Sequence, residues 1–165
     1  MDGIFRARTG FPVDVLNAET ALGLTFGNVF RPDLVSDQPL WLRDAAAPGG
    51  RRLNPAAFRP REGFSQGSLG RNAITGFGMS QLDLALRREF ALSERAALQF
   101  RLEAFNALNQ ANFADPLRYL ASPVFGSAPS MLNVMLGTGS PGSGLTPMFQ
   151  TGGARSVQAA LRLTF

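Results

Sequence analysis

The chain has 165 residues, 45% of them hydrophobic, and a formal net charge of +4. That length suits one domain with a real core, yet no run approaches the roughly 18 consecutive apolar residues of a membrane-spanning helix, so a helical membrane protein is excluded. Cysteine and histidine are absent and all sixteen basic residues are arginine, which removes thiolate metal sites, cysteine nucleophiles and histidine triads. The sequence pI of about 11.2 follows from this arginine-only basicity. Only Arg51-Arg52 and Arg87-Arg88 are adjacent, and so dispersed a charge does not point to nucleic acid.

In chain order, the first element is read at about 3–16, with Gly10 and Pro12 interrupting it. Its leading stretch, MDGIFRARTGFPVDV, lacks the charged start and apolar core of a secretory signal, leaving a cytosolic protein or a piece of a longer one. A long connection rich in Gly, Pro, Ser, Asn and Ala follows, over about 17–79. The second element, about 80–90, alternates Leu82, Leu84 and Leu86 with Gln81, Asp83, Ala85 and Arg87. A short turn at 91–96 leads to the third, about 96–106, where Leu98, Phe100, Leu102 and Ala104 alternate with Gln99, Arg101, Glu103 and Phe105. After another long connection, about 107–154, the fourth runs over 155–165 with Val157, Ala159, Leu161, Leu163 and Phe165 on one parity. Successive side chains of a strand point to opposite faces, so each of the last three elements has one apolar and one polar face.

A helix competes at LSERAALQFRLEAFNALN, whose residues are good helix formers and whose Leu98, Leu102, Phe105 and Leu108 share a helical stripe. The same period of two recurs in three segments of nearly equal length, which favours strands. Ten or eleven residues also match a tilted transmembrane strand better than a soluble one of about five or six. Short turns on one side and long loops on the other are the asymmetry of bacterial outer-membrane barrels. The fold class expected is therefore all-β, with about four antiparallel strands from the C-terminal end of a transmembrane β-barrel.

If the 91–96 turn is periplasmic, the two long connections are extracellular and Phe165 falls at the periplasmic aromatic girdle. The polar parity then lines the lumen, where Asp83 and Arg87 oppose Arg101 and Glu103; facing positions must sum to an even number, so charge pairing across the hairpin is geometrically allowed. Arg88 alone falls on the lipid parity, near the turn, where a charge costs about 0 to 1 kcal/mol instead of about 2 to 4 at mid-membrane.

GRNAITGFGMSQLDLALRREFALSERAALQFRLEAFNALNQANFADP, later FGS and GGARSVQAALRLTF, and upstream TGFPVDV, RPDLV and LNPAAF resemble the C-terminal end of TonB-dependent outer-membrane receptors. The similarity is to the carboxypeptidase-regulatory-like, plug-containing group abundant in acidobacteria, and it spans nearly the whole chain. The resemblance implies a 22-stranded barrel with an N-terminal plug, importing nutrients with energy relayed by TonB. It makes this chain a C-terminal fragment without plug or TonB box, unable to form a pore alone. Its implied partners are outer-membrane lipid, the barrel assembly machinery, TonB through the missing N-terminal part, and an unidentified ligand. Val157, Ala159, Leu161, Leu163 and Phe165 resemble the C-terminal signal by which that machinery recognises its substrates.

Other chemistry finds little support. Gly137, Gly139 and Gly142 fit G-x-G-x-x-G after MLNV, but Pro141 within the loop and GLTP where a helix should start argue against a dinucleotide site. The twelve acidic residues show no EF-hand spacing, and neither an enzyme nor a cofactor or metal site is expected. Asp83 and Glu103 read better as a lumenal charge ladder than as a catalytic carboxylate pair. Asn106, Asn109 and Asn112 suit turn chemistry better than a ligand loop, and Trp41 and Tyr119 suit loop packing better than sugar stacking. The rival function is a soluble secreted β-rich domain that binds glycans.

Overall fold

The computed structural model describes residues 1–18, 29–61, 65–137 and 150–165. These fall into two units: Met1–Arg8 with Met79–Asn112 and Met131–Phe165, and Thr9–Gly78 with Phe113–Ser130. The single domain expected from length is thus divided.

In the first unit the period-2 segments become four long strands: β1 (Asp2–Arg8), β2 (Met79–Ser93), β3 (Ala96–Phe105) and β4 (Ser156–Thr164). They form one antiparallel sheet in the order β1-β2-β3-β4. The helix-forming residues of β3 are extended because both its edges are occupied, by β2 through Leu84↔Ala104 to Ser93↔Ala96 and by β4 through Ala97↔Thr164 to Phe105↔Ser156. Two ladders and the lateral packing of Leu86, Leu102 and Ala159 outweigh an intrinsic preference worth only tenths of a kcal/mol per residue. At the tip, β2 runs on to Ser93, past the expected 90, with a register shift between Ala91 and Ser93 just before the two-residue turn Glu94-Arg95. The Arg95 N–H donates to Ser93 Oγ at 3.3 Å there.

The first element is shorter than the 3–16 expected. β1 ends at Arg8, and Pro12–Val13 forms a separate two-residue pairing with Ile74–Thr75. Gly10 makes the break: a Cβ on it would lie 2.4 Å from the Gly76 carbonyl group, so only glycine permits this approach of two backbones.

The second unit was expected as irregular loop, and it has its own core. Val15, Leu53 and Ala57 are wholly buried, joined by Val13, Phe58, Leu69, Ile74 and Phe125. Short pairings frame them, Asp33–Leu34 with Phe58–Arg59 and Trp41–Arg43 with Arg51–Leu53. Phe58 and Phe125 meet edge to face at 5.7 Å, a favourable quadrupolar arrangement. Asn54 fixes the turn at Pro55–Ala57: its Oδ1 accepts the Ala56 N–H at 3.1 Å and its Nδ2 donates to the Pro39 carbonyl at 2.9 Å. Gly126, at φ 77°, brings its carbonyl to the Leu53 N–H at 3.0 Å, and a Cβ there would strike the Leu53 backbone.

Asp33 on this unit accepts the Ser68 N–H at 2.8 Å and faces Arg61 at 3.4 Å. The Ser68 N–H chiefly, with Arg61 and Arg59, holds its carboxyl below the ordinary 3.8 against some desolvation. The folded form therefore binds this proton less readily than the unfolded chain, so Asp33 adds stability above about pH 4 that is lost as pH falls through its depressed value. An Asp33→Asn variant should be less stable than wild type at pH 7, with the difference closing below about pH 4. Trp41, the single tryptophan, lies in the same unit and reports unfolding by fluorescence; a difference that persists unchanged to about pH 2 would contradict this assignment.

Candidate functional site

The four-stranded sheet is inverted in polarity. Its apolar parity faces outward, with Leu161 71% and Phe5 64% exposed, whereas Gln81 is 1% and Asp83 7% exposed on the opposite face. Directly paired residues share a face, so the ladders define rows across the strands. On the outer face, Leu84–Ala104–Val157, Leu86–Leu102–Ala159, Arg88–Phe100–Leu161 and Phe90–Leu98–Leu163 lie side by side. Phe5 of β1 adjoins Leu82 at one end of this surface, and Phe165 follows β4 at the other. The sequence-expected set Val157, Ala159, Leu161 and Leu163 thus occupies one continuous apolar face, and all four are exposed.

The inner rows are polar: Ala85–Glu103–Gln158, Arg87–Arg101–Ala160 and Glu89–Gln99–Arg162. From Leu84↔Ala104 to Ala91↔Ala97 the hairpin register obeys the even-sum rule, yet the expected opposition of charges is corrected. Arg87 faces Arg101, a like charge, and Asp83 lies beyond Leu84↔Ala104, the last pair of that ladder. Parity assigns a face, and the partner on that face depends on where the turn falls. Glu103 is instead bound along its own strand by the Arg101 guanidinium, two residues away on the same side, and across the next ladder by the Gln158 amide. Asp83 pairs with Arg6 of β1, at 2.5 Å.

Asp83 also organises a buried network that sequence reasoning missed. Its Oδ1 accepts the Asn106 N–H and the Gln81 Nε2, each at 2.9 Å. Gln81 Oε1 accepts the Gly152 N–H at 2.7 Å, and Asn106 Nδ2 donates to the Gly153 carbonyl at 2.8 Å. Asn112 Oδ1 accepts the Ser80 N–H at 2.9 Å. The polar parity of Gln81 and Asp83 was the available signal; the return of 152–153 onto β2 left none. Asp83 and Glu103 are held by different arginines, Arg6 and Arg101.

Asn106 and Asn109 sit at φ 49° and 53°, the left-handed conformation in which asparagine is favoured at turns. The Asn109 N–H donates to the Asn106 carbonyl at 2.8 Å, and Asn106 Oδ1 accepts the Gln110 N–H at 3.0 Å. Trp41 packs edge to face on Phe77 at 5.6 Å with the Arg51 guanidinium 4.2 Å over its ring, and Arg118 lies 5.6 Å over Tyr119. Trp41 is packed against the core, whereas Tyr119 is 41% exposed. Gly137 follows a short helix, α1 (Leu132–Met135), so MLNV does not form the strand that a dinucleotide site requires before its glycines. Gly139 and Gly142 lie outside the described residues, as do 19–28, 62–64 and 138–149 of the long connections.

Residues 1–134 match the family model described as an outer membrane beta barrel domain. The chain belongs to that family. No curated protein and no solved structure gives a significant match. The match takes in β1, β2 and β3 of the outer-membrane barrel sheet, and it places the protein in the outer membrane. An apolar band facing outward and a polar face inward is how such barrels meet lipid and lumen. A soluble glycan-binding domain would expose this band to water and is not favoured.

Proposed function

We propose that this barrel segment belongs to a TonB-dependent receptor that takes up a nutrient with energy from the inner membrane. The observation that carries the reading is the asymmetry of the connections: β2 and β3 are joined by a tight hairpin at Ser93–Ala96, whereas the chain between β1 and β2 and between β3 and β4 is long and contributes Thr9–Gly78 and Phe113–Ser130 to a cored unit. Outer-membrane barrels combine short periplasmic turns with long extracellular loops, and the residue runs around GRN, F-N-x-x-N and Phe165 resemble those of TonB-dependent receptors. The hairpin is then periplasmic. Among the described residues β1 and β4 each present one unpaired edge, which a bilayer does not tolerate, so further strands complete the barrel. Plug and TonB contact come from other parts of the receptor, and the transported ligand is unidentified.

Antibody against this chain should mark, in outer-membrane fractions, a heat-modifiable band much larger than 17.7 kDa that crosslinks to TonB. A 17.7 kDa product in the soluble fraction, with no TonB crosslink, would overturn the reading.

Phe165 and the apolar parity of β4 act in the same reading as the assembly signal. Deleting Phe165 from the receptor should lower its outer-membrane level several-fold without changing synthesis. Pulse labelling separates the two, and full assembly of the deletion would count against the signal.

A further inference from the structure

Arg88 is the one charged side chain, among the described residues, on the outward apolar face of β1 to β4. Its row neighbours are Phe100 and Leu161, and no ion pair is made to it among the described residues. An unpaired guanidinium among apolar groups must reach either water or an anion. Its direction is visible: the guanidinium carbon lies 5.4 Å from the centroid of the Phe90 ring, two residues toward the hairpin on the same face. Two residues are about 7 Å along a strand, or about 5 Å of depth at a 45° tilt, a step that a snorkelling arginine spans. Phe90 and Phe165 are the aromatic residues nearest the hairpin on β2 and after β4, where an interfacial aromatic girdle falls, so the arginine head emerges at the level of lipid headgroups.

We infer that Arg88, seated on Phe90 and flanked by Phe100 and Leu161, docks the phosphate of an anionic glycerophospholipid in the leaflet at the hairpin end of the sheet. The three apolar neighbours receive the proximal acyl chain while the guanidinium, with its planar donor fork, takes two phosphate oxygens. Arg87, one residue away, points to the opposite face and cannot share this ligand. The inference rests on the membrane placement of the sheet and on the hairpin facing the glycerophospholipid leaflet; it does not need TonB.

The test uses the whole protein extracted from outer membranes in detergent, as wild type, Arg88→Gln, Arg88→Lys and Arg162→Gln, the last lying on the inner face. Heat-modifiable mobility checks that each variant is assembled. Native mass spectrometry then titrates each with phosphatidylglycerol, phosphatidylcholine, lipid A or inorganic phosphate. Arg88→Gln should weaken phosphatidylglycerol retention roughly fivefold, with Arg88→Lys intermediate and Arg162→Gln unchanged. Equal retention by wild type and an assembled Arg88→Gln barrel overturns the inference alone. Preference for lipid A, or full displacement by inorganic phosphate, overturns the lipid assigned. Recovery of the wild-type protein only as a soluble product overturns the barrel placement and this inference together.

Discussion

Replacing Asp83 with alanine should destabilise the assembled barrel by about 2 to 4 kcal/mol, because three donors lose one acceptor in a buried place. The Asn106 N–H and the Gln81 amide would each be left without their 2.9 Å partner, and Arg6 without its carboxylate. The loss should spread to 152–153, since the Gln81 Oε1 that receives the Gly152 N–H is positioned by the bond its own Nε2 makes to Asp83. Asp83→Asn keeps an acceptor for the Asn106 N–H while removing the charge that balances Arg6, so it should cost less than half as much. The temperature at which the folded band converts to the unfolded one on gels gives the ranking. Indistinguishable wild type and Asp83→Ala would show that the network contributes nothing to the assembled state.

That network shows which parts of the fold were readable from sequence. β2, β3 and β4 were legible because a sheet wetted on one face and lipid-bound on the other imposes a period of two over nine or more residues. Leu82 to Leu86 and Val157 to Leu163 carry that signal without interruption. The inserted unit was not legible, since its pairings are two or three residues long and its core is assembled from Val13, Leu53, Ile74 and Phe125, whose spacing follows no period. Gly10 and Gly126 were visible as residues, but the close backbone approaches that require them depend on chain segments far away in sequence. The polar-parity residues share one face of the sheet, but their expected partners do not meet: the register puts Arg101 across from Arg87 and Ala85 across from Glu103. Long-range returns such as Gly152 onto Gln81 leave no local trace at all.

A pair of adjacent substitutions separates the lipid face from the lumen face most directly. Ala159 and Ala160 are neighbours in β4, both exposed, and differ only in parity: Ala159 lies in the Leu86–Leu102 row and Ala160 opposite Arg101. The Leu86 row is midway between Leu82 and Phe90 along β2, hence near the middle of the apolar band. Ala159→Arg should therefore cost about 2 to 4 kcal/mol and remove most of the protein from the outer membrane, because its guanidinium has no nearby headgroup to reach. Ala160→Arg places the same group in the polar interior, where repulsion from Arg101 is screened by water and should cost less than about 1 kcal/mol. Arg88 shows why depth matters as well as parity, for it shares the lipid face but stands beside Phe90 at the end of the band. Moving one charge by one residue thus changes its surroundings from hydrocarbon to water. Equal outer-membrane levels for the two variants would mean that neither face meets lipid, whatever the alternation of the strand.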